Sequence, residues 1–394
     1  MSALKNYFNF FIELFFSLFP IKKDTVVFYS FNGQYNDNPK YISLELHKVA
    51  PQYHQVWILN NNDYSMPPQY VSRCKKGSIL EKYYRSTAEF FIDNYTGKHT
   101  IRKNKKIPSI LKRLKRKGQI NISTWHGTPL KKIHNDITGL ICNTNNSFST
   151  CDLFISGNTY LSDIISRSLG GKLVVANVGS PRNDLLINAN DSKLIELKHK
   201  FGIVEGTKIV LYAPTFRDNR NNSGFSQLNQ IDIPKLLEEM NHKFGGKWVF
   251  MFRTHPTLVD FARDKFKSLY DDGIIIDGNL YNEMAEYLLV SDVLITDYSG
   301  SLFDFCLLKR PCFLFSDDLK NYSEKERGLY MDISQLPFSF SNNFNELINN
   351  IRLFDNKIQE ERIAEFTNKL GYCESGKSCK YVVNYILDNS QRKK

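Results

Sequence analysis

The residues able to do chemistry in this chain gather where apolar runs end. Ile122-Ser123-Thr124-Trp125 is followed by His126-Gly127-Thr128-Pro129, which sets an imidazole beside a Gly-Thr-Pro turn. Histidine titrates near neutrality and can take a proton from an attacking hydroxyl. A histidine hydrogen-bonded inside its own turn is the competing structural reading. The run Phe252-Arg253-Thr254-His255-Pro256 has the same form. Arg253 offers a planar fork that suits phosphate, and His255 could donate to a phosphoryl oxygen or act on a leaving group. A polar surface loop is the alternative there.

Two more strand ends carry polar clusters. Tyr212-Ala213-Pro214-Thr215-Phe216-Arg217-Asp218 is one, and Leu294-Ile295-Thr296-Asp297-Tyr298-Ser299-Gly300-Ser301 is the other. Backbone N–H groups of Ser299, Gly300 and Ser301 at a helix start make a natural pyrophosphate cradle. A plain N-cap explains one serine but leaves the rest of the cluster unexplained. Gly179-Ser180-Pro181-Arg182-Asn183-Asp184 adds an arginine and an aspartate that either touch a nucleotide or form a hinge. Gly371 to Ser378 satisfies the pattern G-x-x-x-x-G-K-S, yet residues 357–370 before it read as a helix, whereas a P-loop follows a strand. It reads as a turn capping a final helix over 379–387.

These ends need elements to hold them. Apolar runs predict strands over 25–31, 55–59, 89–95, 120–125, 152–156 and 173–178, then over 208–213, 248–253, 273–276, 293–296 and 312–315. Helical patterns over 40–49, 160–169, 191–201, 233–243, 282–289 and 301–308 fall between them. Alternation at this spacing indicates α/β architecture with parallel, doubly wound sheets in two Rossmann-like domains facing a central cleft. The domains are placed at 21–195 and 196–394. Ligands of such sheets bind at the carboxyl ends of strands.

A chain of 394 residues is too long for a mini-protein, and 42% hydrophobic content excludes global disorder. Its net charge of +11 calls for an anionic partner. Ten of the basic residues lie between Lys98 and Lys117 with no acid among them, interleaved with Ile107, Ile110, Leu111 and Leu114. Segment 98–118 therefore reads as a basic, membrane-facing element. Residues 1–20 add a Phe-rich amphipathic helix, too short to span a bilayer, that either lies in the interface or packs on the protein body. Together they suggest a peripheral protein on the cytoplasmic face of an anionic membrane. No helix-turn-helix, zinc-finger or RNA-recognition signature accompanies the charge, so nucleic acid is not the expected partner. The seven cysteines form no C-x-x-C pair and read as reduced thiols, and no clustered carboxylates suggest a tightly bound metal.

Taken in order, Thr124 to Pro129, Pro181 to Asp184, Tyr212 to Asp218, Arg253 to Pro256, Thr296 to Ser299 and Leu307 to Pro311 with Arg327-Gly328 resemble the motifs of the CDP-glycerol glycerophosphotransferase family of teichoic acid and capsule synthesis. The resemblance implies a GT-B-like fold in which the second half binds the donor and the first presents an acceptor hydroxyl. It implies transfer of glycerol phosphate from CDP-glycerol to a lipid-linked or polymeric cell-surface glycan, with loss of CMP. Under it His126 matches the catalytic base, and Arg253, His255 and the Ser299 turn match donor diphosphate contacts. Gly127, Thr128, Arg182, Asp184, Thr215, Arg217, Thr296, Asp297, Gly300 and Ser301 match motif positions on the substrate path. Mg²⁺ would at most accompany the diphosphate. Priming or short-chain transfer is ranked before polymerisation. Gly300 stands where the family commonly has serine, and Phe216 where it has tryptophan. These departures keep CDP-ribitol open as the donor, and a nucleotide-sugar glycosyltransferase on the same scaffold is the other alternative.

Overall fold

The computed structural model describes residues 11–60, 67–95, 115–137, 150–169, 173–215, 223–254, 256–319 and 328–391. His255, Arg217, Phe216 and residues 98–114 of the basic segment lie outside them.

The chain divides into two compact units. The first comprises Met1–His126, Leu140–Asp184 and Tyr372–Lys394, and the second comprises Gly127–Gly139 and Leu185–Gly371. This differs from a single break at 195/196. The chain leaves the first unit early, lends residues 127–139 to the second, and returns at Tyr372.

In the first unit β1 (Lys22–Tyr29), β2 (His54–Leu59), β3 (Ser72–Lys75), β4 (Ala88–Asp93), β5 (Ile120–Ser123), β6 (Leu153–Ser156) and β7 (Val175–Asn177) form one sheet. Its order is β3-β2-β1-β4-β5-β6-β7 and its pairings are parallel. Order reverses between β1 and β4, the switch point at which such sheets bind ligands. Central strands such as Val26-Val27-Phe28-Tyr29 are buried, as a sheet covered on both faces requires. Phe28 stacks on Trp57 across the β1–β2 pair with centroids 5.3 Å apart. The last helix, Ser378–Gln391, returns Val382, Val383 and Ile386 to the core beside Ile42 and Leu46 of helix Asp37–Val49. Burying side chains of that size stabilises by roughly 1.5–3 kcal/mol each.

The second unit repeats the plan with β8 (Thr207–Tyr212), β9 (Lys247–Phe252), β10 (Ile275–Asp277), β11 (Val293–Thr296), β12 (Cys312–Phe315) and β13 (Ser339–Ser341). The order is β10-β9-β8-β11-β12-β13, again with parallel pairings. Each expected strand of the described chain is present, with ends shifted by a few residues. Two strands are additional. β3 (SRCK) and β13 (SFS) sit at sheet edges, where one open side relaxes the need for a continuous apolar run.

Residues 11–16 are helical. Phe16 and Phe19 pack edge-on against Tyr83 with centroids 5.3 and 6.2 Å away, and Arg116 Nη2 donates to Phe19 O at 2.8 Å. Phe11, Leu14, Phe15 and Leu18 face outward. The segment thus has one face on the protein body and another exposed. No helix among the described residues is long and apolar enough to cross a membrane. Cys74, Cys151, Cys306, Cys312, Cys373 and Cys379 are free thiols, and burial pushes Cys151 up to about 12.

Candidate active site

His126 follows β5 by three residues, on a turn the backbone would not adopt unaided. Trp125 has φ 51°, in the left-handed region, which costs of order 1 kcal/mol or more for a bulky residue. Asn38 holds it there: its Nδ2 donates to Thr124 O at 3.1 Å and to Trp125 O at 3.0 Å. Thr124 N and Oγ1 donate to Asp93 O at 2.7 and 3.1 Å. The His126 ring stacks on Trp125, centroids 4.4 Å apart, and its Nδ1 lies 3.1 Å from Asn94 O.

A carbonyl oxygen can only accept, so Nδ1 carries the proton in the neutral ring and Nε2 holds the lone pair. That is the tautomer a general base needs. Crowding by the surrounding protein lowers the imidazole below its ordinary pKa; the Asn94 carbonyl and the Asp37 carboxylate oppose this and Arg182 reinforces it. The residue itself is exposed. Both tautomer and charge leave His126 able to accept a proton at neutral pH.

Arg182 and Asp184 have internal partners. Arg182 is 7% exposed; its Nη1 pairs with Asp37 Oδ1 at 2.8 Å and its N–H donates to Asn38 Oδ1 at 3.0 Å. Asp184 accepts the N–H groups of Ser378 and Cys379 at 3.0 and 2.8 Å. The structure therefore gives Asp184 the role of capping the final helix, where the motif suggested substrate contact. The P-loop-like turn receives a carboxylate of its own chain, and helix Asn356–Lys369 precedes it as expected.

In the second unit the expected residues come together around two loops. Asp297, 1% exposed, accepts Thr215 N–H through Oδ1 at 2.9 Å, and Thr296 Oγ1 donates to Ala213 O at 2.7 Å. The ends of β8 and β11 are thereby tied. Ser299 Oγ accepts from Ser301 N at 3.3 Å and from Ser301 Oγ at 2.9 Å. A Cβ on Gly300 would stand 3.2 Å from Thr128 O, so glycine lets the Gly127-Thr128 segment approach this turn closely. Residues 127–139 are held to the same unit by Lys132 N–H to Gly328 O at 3.0 Å and Tyr330 N–H to Leu130 O at 2.8 Å. Arg253 departs from expectation. Its Nη1 donates to Gly278 O at 2.6 Å and Tyr281 O at 2.8 Å, and its guanidinium lies 4.7 Å over the Tyr287 ring. That edge of the fork holds the loop after β10.

Among the described residues no group of three or more His, Cys, Asp or Glu is placed to hold a metal. Sequence reasoning missed Asp37, Asn38 and Asn94. Asn94 directly follows β4, and Asp37 and Asn38 open the helix that follows β1, so their signal was polar residues after the two strands at the switch point.

The family described as CDP-Glycerol:Poly(glycerophosphate) glycerophosphotransferase matches residues 11–388. The chain belongs to this family. A teichoic acid poly(glycerol phosphate) polymerase of Staphylococcus epidermidis is 32% identical over 384 residues, covering 93% of this chain and 51% of that protein. One of Bacillus subtilis is 30% identical over 392 residues, covering 94% and 50%. The chain thus spans about half the length of these two relatives. A structure of the wall teichoic acid polymerase TagF, a histidine variant soaked with CDPG, superposes with a TM-score of 0.83 at 28% identity, covering 100% of this chain and 97% of that one. Two parallel α/β units of the GT-B type are accordingly the fold of this family member.

Proposed function

We propose that this chain transfers glycerol phosphate from CDP-glycerol to a hydroxyl of a lipid-linked or polymeric glycan in teichoic acid or capsule synthesis. The observation that carries the reading is the His126 tautomer, with Nδ1–H bound to Asn94 O and the lone pair on Nε2. Nε2 takes the acceptor hydroxyl proton and the oxygen attacks the β-phosphorus. The bond from that phosphorus to the bridging oxygen breaks, and CMP departs with its electrons. Such transfers depend on positioning and on donors for the phosphoryl oxygens. Ser299, Gly300, Ser301 and the Thr128 segment supply polar and N–H groups of that kind in the second unit.

Elongation and priming both remain within this reading. Similarity to the poly(glycerol phosphate) polymerases extends over 93–94% of the chain, and that to a glycerol-phosphate primase of Bacillus subtilis over 69%. This favours elongation over the priming expected from the sequence. The outward Phe11, Leu14, Phe15 and Leu18 support an association with the cytoplasmic membrane surface, where a lipid-linked acceptor resides.

The decisive assay offers purified protein CDP-glycerol, CDP-ribitol and UDP-sugars, with and without Mg²⁺, and follows CMP or UDP release. CMP release with CDP-glycerol is expected; turnover with a UDP-sugar alone overturns the proposal. On vesicles containing anionic lipid, replacing Phe11, Leu14, Phe15 and Leu18 by serine should lower sedimentation several-fold, since each buried apolar side chain contributes about 1.5–3 kcal/mol. Unchanged partitioning would remove the membrane part.

A further inference from the structure

The returning segment Tyr372–Cys379 is built into the first unit, with a carboxylate at its centre. Tyr372 bridges Asn158, and Cys373 N–H donates to Gly157 O at 2.9 Å. Glu374 then receives Ser180 N–H on Oε2 and Asn183 Nδ2 on Oε1, both at 2.9 Å. Two glycines open the space for it. A Cβ on Gly157 would lie 2.6 Å from Glu374 Oε1, and one on Gly179, which has φ 98°, would lie 2.8 Å from Oε2. With Asp184 bound to the start of the final helix, the Ser180–Asp184 loop is gripped by two carboxylates, one on each side of the interface.

From that loop, hydrogen bonds lead to the imidazole. Arg182 N–H and Nη1 reach Asn38 Oδ1 and Asp37 Oδ1. Asn38 holds the carbonyls of Thr124 and Trp125, and Asp37 Oδ2 accepts Asn94 Nδ2 at 2.6 Å. Asn94 O accepts His126 Nδ1–H. Asn38 and Asn94 are each 1% exposed, and the links involving charged groups are of the stronger class.

We propose that Glu374 is a positioning residue for His126, acting through Arg182, Asp37 and Asn38; the inference rests on reading His126 as the base. Its carboxyl oxygens hold Ser180–Asp184, that loop sets Arg182, and Arg182 sets the start of helix Asp37–Val49 from which the His126 turn hangs. A misplacement of about 1 Å at a reacting group can cost roughly 100-fold in rate. The pH profile carries a second signature. The groups facing the imidazole are Asn94 O and Asp37, which raise its pKa, and Arg182, which lowers it. Releasing Arg182 removes the lowering charge, so the acid limb of kcat moves to higher pH.

The test measures CMP release from CDP-glycerol by wild type, Glu374→Ala, Glu374→Gln, Arg182→Met and His126→Ala, across pH and with a melting temperature for each. Glu374→Ala should lose roughly tenfold or more in kcat, with KM for the donor within about twofold and the acid limb raised. Glu374→Gln, which keeps an acceptor for Ser180 N–H, should recover most of the rate. Arg182→Met should raise the limb likewise. If folded Glu374→Ala and Arg182→Met keep the wild-type kcat and acid limb, or change donor KM alone, the inference is overturned. Should Glu374→Ala fail to fold, Arg182→Met decides by the same readouts: with kcat and acid limb as in wild type, the role is refuted. His126→Ala separates the two levels. If it retains the wild-type rate, the base assignment falls and positioning with it; if it alone is inactive, only the role of Glu374 falls.

Discussion

The two units end their strands on polar turns, but they hold those turns by different means. In the first, charged and amide side chains do it: Glu374, Asp184, Arg182, Asp37, Asn38 and Asn94 converge behind one imidazole. In the second, main-chain groups carry more of the work: Asp297 takes the Thr215 N–H, Arg253 Nη1 grips the carbonyls of Gly278 and Tyr281, and Gly300 admits the Thr128 carbonyl. A buried side-chain network specifies one tautomer and one direction, which is what a proton acceptor requires. In the second unit, the hydroxyls and N–H groups of the Ser299–Ser301 turn are the proposed contacts for a diphosphate. On the proposed reading, the first unit carries the chemistry and the second captures the donor.

Substitutions in each unit can break that assignment. His126→Ala should have the largest effect, lowering CMP release by roughly 10³-fold while calorimetric affinity for CDP-glycerol stays unchanged. A variant that loses donor affinity instead would move binding into the first unit. Arg253→Ala should be milder. It frees the Gly278 and Tyr281 carbonyls, loosens the loop after β10 and raises KM for the donor roughly tenfold with a smaller change in kcat. Its thermal stability should fall by about 1–3 kcal/mol, because two buried acceptors lose their donor. A drop in kcat at unchanged KM would place Arg253 in the chemical step and erase the contrast.

How far the sequence reveals this arrangement depends on what each residue's local pattern shares with ordinary structure. Central strands such as Val293-Leu294-Ile295-Thr296 are continuous apolar runs, and both sheets follow from them. His126 stands out because an imidazole directly after a strand is uncommon. β3 and β13 were hidden by polar composition at sheet edges. Asn94 was hidden because a polar residue after a strand is the normal start of a turn, and Asp37 because an acidic residue is ordinary in a helix's first turn. The fate of Glu374 was illegible for a topological reason: its partners Ser180 and Asn183 lie 194 and 191 residues away, and the chain's return to the first unit leaves no local mark. Arg253 shows the converse, since a motif arginine was legible as important while its carbonyl partners, set by the fold, were not.

The pH dependence of CMP release from CDP-glycerol, measured at saturating donor and acceptor, tests the central claim most directly. If His126 is the base proposed above, its pKa lies below the ordinary 6.5, so the rate should hold through neutrality and fall only below that value as Nε2 gains a proton. An acid limb above the ordinary histidine value would contradict it.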